Sequence, residues 1–221
     1  MKKLTLAVSA LFVAAMAVAV PGTASAKEDV KAHIGGGVSV PIGDLADIVD
    51  TGWRINGGAT FYPSKKPIGF RLDLAWDWWD VSDSFLDTVD TNDAVPGIQR
   101  PDDGDAQSIG TTFNILWEPE SSGSVGFYLT GGVGVYYLYA DLGNYDTYNT
   151  IYCDWYYCYP VTVTGEYEIR DESSWEWGLN AGVGVTFELQ GGSQFYIETS
   201  YQWLDTQQTA AWVPVQFGWR W

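Results

Sequence analysis

The chain has 221 residues, a formal charge of -17, 16% aromatic residues and 25 glycines. That much negative charge argues against nucleic-acid partners and against adsorption to anionic surfaces. Two cysteines with no nearby histidine make a poor zinc set, and no cofactor is expected.

The chain opens on Lys2 and Lys3, an apolar run from Leu4 to Val20, and the small residues Ala24, Ser25 and Ala26. This pattern predicts a secretory signal over residues 1–26, with 27–221 forming one exported domain. No later stretch approaches the roughly 18 apolar residues of a membrane-spanning helix. The mean hydropathy of -0.09 would suit a soluble protein. A β-barrel evades that test, because lipid-facing and lumen-facing residues alternate and average out.

Eight segments then alternate between apolar and polar residues. The first runs from Val30 to Val40, with Ile34 and Val38 on one face and His33 and Ser39 on the other. The second, Trp53 to Tyr62, sets Trp53, Ile55 and Phe61 against Arg54, Asn56 and Thr60. Ile68 to Trp78 is the cleanest: Phe70, Leu72, Leu74, Trp76 and Trp78 oppose Arg71, Asp73 and Asp77. Gln107 to Trp117 puts Phe113 and Ile115 outward and Thr112 and Asn114 inward. Val125 to Tyr139, Trp175 to Leu189 and Phe195 to Trp203 repeat the scheme. The last segment, Val213 to Trp221, presents Val215, Phe217, Trp219 and Trp221 against Gln216, Gly218 and Arg220.

Connection lengths alternate too. Pro63 to Pro67, Glu118 to Gly123 and Gln190 to Ser193 are short and rich in turn residues. Pro41 to Gly52, Trp79 to Ala106 and Ala140 to Ser174 are long loops by this reading; Leu204 to Ala211 is modest. Aromatic residues gather near both ends of the segments, as in interfacial girdles. About ten residues separate the two girdles, which at roughly 3.3 Å per residue and a tilt near 40° spans about 25 Å. The expected fold is all-β: an eight-stranded antiparallel transmembrane up-and-down β-barrel, with the short turns and both termini facing the periplasm.

The sequence also resembles the small outer-membrane β-barrel family related to OmpA and OmpX, often labelled porin-family barrels. The residues that carry the resemblance are Gly36–Asp44, Gly52, Gly131–Val135, Asn180–Val185 and the closing run Val213–Trp221. The resemblance implies residence in the bacterial outer membrane. It also implies contact with outer-membrane lipid and lipopolysaccharide. The terminal Phe217, Trp219 and Trp221 resemble the signal read by the outer-membrane insertion machinery. Such motifs describe a fold and say little about activity.

Candidate functional residues fall into four groups. Arg54, Arg71, Asp73, Asp77, Glu188, Glu198 and Arg220 should point into a lumen too narrow for unpaired charge, and so form a salt-bridged plug. A gate that opens a small channel for solutes is the alternative. Cys153 and Cys158 suit a disulfide in an oxidising compartment. Around them, Tyr152, Trp155, Tyr156 and Tyr157 form an aromatic knob able to contact an extracellular ligand or another cell. Asp102, Asp103 and Asp105 lie in an acidic stretch that could hold Ca²⁺, although the spacing departs from an EF-hand loop. His33 has no evident serine partner, so enzyme activity is not expected. A monomer is the default.

Overall fold

The computed structural model describes residues 29–63, 67–86, 103–153, 158–189, 191–206 and 210–221. For residues 29, 103, 142–153 and 158–172 only the backbone is described. The expected signal segment lies outside the described residues.

Eight strands follow one another: β1 (Asp29–Ile42), β2 (Gly52–Tyr62), β3 (Ile68–Asp80), β4 (Asp103–Trp117), β5 (Val125–Cys153), β6 (Cys158–Glu188), β7 (Gln194–Leu204) and β8 (Ala210–Arg220). Each pairs antiparallel with its neighbour in sequence, and β1 pairs with β8, so the sheet closes on itself. Closure is carried to the last residue: Ala32 and Trp221 exchange two backbone hydrogen bonds of 3.0 Å each. A closed barrel leaves no edge strand across its pleated wall, as hydrocarbon surroundings demand.

Alternation in sequence becomes alternation in space. On β4, Phe113 and Ile115 are 51% and 54% exposed, while Thr112 and Asn114 are 5% and 1% exposed. The same inversion holds around the barrel: Leu72, Val133, Ile197 and Phe217 are exposed, and Arg71, Asp73, Glu198 and Gln216 are buried. Water would not tolerate so continuous an apolar exterior on a monomer. Hydrocarbon accounts for it.

Two glycines open the turn between β6 and β7, Gly191 at φ 93° and Gly192 at φ 84°, a backbone region that only glycine enters cheaply. Inside the barrel glycine makes room. A Cβ on Gly134 or Gly178 would come within 2.9 or 3.0 Å of the Tyr136 ring, and one on Gly110 would meet the same ring.

Two expectations about connections need correction. Across its described residues Ala140 to Ser174 is strand and not loop: β5 and β6 run on as a ribbon, pairing from Leu142–Arg170 out to Cys153–Cys158. A register shift at Leu142 and Gly143 separates barrel wall from ribbon. β4 stops pairing with β5 at Gly143, and β7 stops pairing with β6 at Gly178, so among the described residues the outer part of the ribbon pairs with no other strand. Beyond the hydrocarbon a strand needs no greasy face, so hydropathic alternation no longer marks it.

The connections Pro41 to Gly52 and Trp79 to Ala106 are also partly structured. The first holds a 3-10 turn, Gly43–Asp47. In the second, β3 continues to Asp80, a single helical turn follows at Asp83–Leu86, and β4 begins at Asp103. Val49 and Val81 join the two connections through an isolated bridge. Together they fold over the barrel mouth. Val49, Trp79, Val81, Leu86, Leu204 and Trp212 bury one another there, with Leu45, Ile48 and Phe85 packed on top.

Candidate functional site

The lumen is filled in four storeys, and strand register determines which side chains share each one. At the short-turn end, Arg220 of β8 places Nη1 3.2 Å from Glu118 Oε2. Tyr62 donates a short hydrogen bond to the same carboxylate oxygen. The Arg220 guanidinium also lies over the Tyr128 ring, 4.9 Å from its centroid, a cation–π contact in a desolvated setting. Leu116, Tyr62 and Tyr128 close the space around this group.

The middle storey centres on Arg71. Residues two apart on a strand share a face, so Arg71 Nε reaches Asp73 Oδ2 at 2.8 Å. Its two terminal nitrogens cross the lumen to β7 and grip Glu198 in a fork, at 2.6 and 2.9 Å. Tyr128 and Gln216 donate to Glu198 at 2.6 and 3.0 Å. Asn114 donates to Asp73 at 2.6 Å, and His33 Nε2 lies 2.8 Å from the other Asp73 oxygen. Each carboxylate is thus held by several donors, which is what makes burial of charge tolerable.

The third storey is a single pair. Arg54 and Asp77 face each other directly across β2 and β3, and Arg54 Nη1 donates to both carboxylate oxygens at 2.9 and 2.7 Å. Between this pair and the Arg71 group lies a polar void of about 10 Å³, room for about one water molecule. The fourth storey is the apolar cap. Trp212 meets Trp79 and Tyr136 edge to face at 5.4 and 5.9 Å, and Trp79 Nε1 donates to Ser39 O at 3.1 Å.

Of the lumen residues named from sequence, the structure brings Arg54 to Asp77, and Arg71 to Asp73 and Glu198; Arg220 joins a separate group. Glu188 is corrected. It has the inward parity, but β6 ends there, and the side chain is exposed to water at the rim. The acid that meets Arg220 is Glu118, 1% exposed, whose place in the sequence suggests a turn. A faint signal exists: Glu118 directly follows Trp117, so it carries the inward parity of β4 one residue further.

The other candidates are less visible. Cys153 and Cys158 stand opposite each other in register, but their side chains, and that of Tyr152, lie outside the described residues, as do Trp155, Tyr156 and Tyr157 altogether. Asp102 lies outside them too; Asp103 and Asp105 begin β4 instead of occupying a loop. Among the described residues, no group of three His, Cys, Asp or Glu side chains is placed to hold a metal ion. Phe217 and Trp219 are exposed on the outer face of β8, with Trp221 just beyond its end.

Comparison with known proteins agrees with this geometry. Among solved structures, the chain is similar to Neisserial surface protein A, with 12% identity, 86% of this chain and 95% of that one covered, and a TM-score of 0.51. It is similarly close to a major outer membrane protein from Thermus thermophilus, with 13% identity, 87% and 99% coverage, and a TM-score of 0.52. At such identities the likeness is one of fold. No curated protein matches the chain in sequence. The model of the outer membrane protein beta-barrel domain matches residues 6–218, and with its closed eight-stranded wall the chain belongs to that family.

Proposed function

We propose that this protein is a non-enzymatic bacterial outer-membrane barrel with a sealed lumen, which acts at the cell surface through its β5–β6 ribbon. The loop end faces outward and the short turns face the periplasm. The observation that carries the reading is the filling of the lumen by paired charges and packed aromatic residues, from the Arg220–Glu118 pair to the Trp212 cap. A protein built to pass solutes would not seal its mouth with packed indoles. The paired ribbon runs past the end of the wall out to Cys153 and Cys158. The sequence around these two residues is rich in Tyr and Trp, and such residues supply contact area at low ordering cost. A Cys153–Cys158 disulfide would fix that end of the ribbon. Insertion through the signal at Phe217, Trp219 and Trp221, and contact with outer-membrane lipid, belong to the same proposal.

Planar-bilayer recordings test the sealed lumen. Wild type and Arg71→Ala should both give no discrete conductance; steps in wild type would favour a channel, and steps only in the variant would favour a gate. Deleting Tyr145 to Tyr159 tests the ribbon. Loss of cell binding by a barrel that still inserts supports the surface role, and unchanged binding rejects it.

A further inference from the structure

The two aromatic girdles differ in chemistry. At the short-turn end stand Phe61, Phe70, Phe127, Phe187 and Phe195, alongside tryptophans at 117, 219 and 221. At the loop end stand Trp53, Trp76, Trp78, Tyr137, Trp175 and Trp177, and phenylalanine has no place in that ring. Every ring there carries an N–H or O–H, whereas most of the opposite ring offers hydrocarbon alone. Trp53 and Trp175 are 72% and 71% exposed, and Trp53 lies directly opposite Trp78. Trp76 and Trp78 present parallel indoles, 5° apart in plane.

Polar acceptors are fixed beside these rings. Trp76 Nε1 donates to Gln107 Oε1 at 3.3 Å, and Gln107 Nε2 donates to Asp105 Oδ1 at 3.3 Å. Register then aligns Asp80, Asp105 and Asp141 on adjacent strands β3, β4 and β5, just above the indoles. Parity turns all three outward, where like charges directly opposite one another are costly. The rim beyond is acidic as well, with Asp44, Asp47, Asp50, Asp83 and Asp205 exposed. No exposed Lys or Arg stands at this end among the residues whose side chains are described.

We propose that the outward face of β2–β5 at the loop end is a docking surface for the uncharged sugar headgroup of an outer-leaflet glycolipid. The chemistry matches on both sides. Indole faces stack on the C–H faces of a sugar ring, and carboxylates and the glutamine carbonyl accept hydrogen bonds from its hydroxyls. Among the residues whose side chains are described, a phosphate-bearing headgroup meets only like charge here, within a Debye length of several carboxylates. The lipid tail lies naturally on Ile55, Leu72 and Ile109 below. This inference rests on the outward orientation proposed above.

The test uses the whole exported chain, refolded into phosphatidylcholine vesicles that contain a minor fraction of glucosyl diacylglycerol, phosphatidylglycerol or lipid A. Protease added to intact cells that carry the protein trims the ribbon only if the loop end faces outward, so a wrong orientation and a wrong lipid preference are read apart. Lipid retained on the extracted barrel is counted by native mass spectrometry. The expected result is glucosyl diacylglycerol enriched about fivefold over phosphatidylglycerol, roughly 1 kcal/mol of preference. The double variant Trp53→Leu, Trp78→Leu should abolish the enrichment, as should Asp105→Ala to a lesser degree, while Phe61→Leu in the opposite girdle leaves it intact. Equal retention of all three lipids, or enrichment that survives the double variant, overturns the proposal. Preferential retention of lipid A, with or without Ca²⁺, also overturns it. So does full displacement of the glycolipid by soluble methyl glucoside, which would make this a site for free sugar.

Discussion

Arg71 shows most plainly how a single residue organises this protein. It is 5% exposed, yet it holds two carboxylates on different strands, one beside it and one across the lumen. Removing one partner of a buried ionic group leaves the other charges uncompensated, which costs about 3–5 kcal/mol. Arg71→Met should therefore lower the barrel's stability by about that much in urea unfolding from detergent micelles. Adding Glu198→Gln to it should recover part of the loss, because one stranded charge is then gone. Glu118→Ala should act similarly at the short-turn end, where it strands Arg220 and the Tyr62 hydroxyl; a loss below about 1 kcal/mol would mean that water already serves that group. Sequence parity makes most of this network legible. Arg54, Arg71, Asp73, Asp77, Glu198 and Arg220 all lie inward because a strand turns every second residue to one face. Parity does not say where the lumen ends, which is why Glu188 reaches water and Glu118 does not.

At the scale of elements, hydropathic alternation marks strands only where lipid borders them. Within the wall it locates all eight, with errors of a few residues at the ends. Past the wall it fails, and the ribbon formed by β5 and β6 reads as a loop. Its cue is composition: Thr147, Tyr148, Thr150, Ile151, Val161, Thr162 and Val163 favour extended backbone without an apolar face. The cap is hidden for another reason. Trp79 directly follows Trp78, and Trp212 precedes the last alternating run, so each falls outside the alternation that marks a strand. Past the bulge at Leu142 and Gly143 the described part of the ribbon pairs only β5 with β6, so none of the wall's other strand pairs depends on it. Deleting residues 144–167 and closing the gap with a short glycine turn should leave heat-dependent gel mobility unchanged. Loss of that mobility shift would show that the ribbon is needed for the barrel to fold. The cap, by contrast, is packed core: Trp212→Ala should cost about 3–5 kcal/mol.

For the whole molecule, two surfaces matter together: hydrocarbon wets the outside of the barrel, and side chains fill the inside. Redundant sealing follows. Trp212→Ala should loosen the mouth yet still give no conductance in planar bilayers, because the Arg54–Asp77 and Arg71–Glu198 storeys remain below it. The most direct measurement is a spin-label scan along β4, one cysteine at a time from Ser108 to Trp117, in the refolded, membrane-inserted protein. Labels at Ile109, Thr111, Phe113 and Ile115 should collide freely with oxygen and be shielded from a water-soluble nickel complex. Labels at Ser108, Thr112 and Asn114 should be shielded from both; Gly110 is left unlabelled, because a side chain there would meet the Tyr136 ring. Nickel contact at the second set would reveal a wet pore, and nickel contact at the first set would mean that no membrane surrounds the barrel.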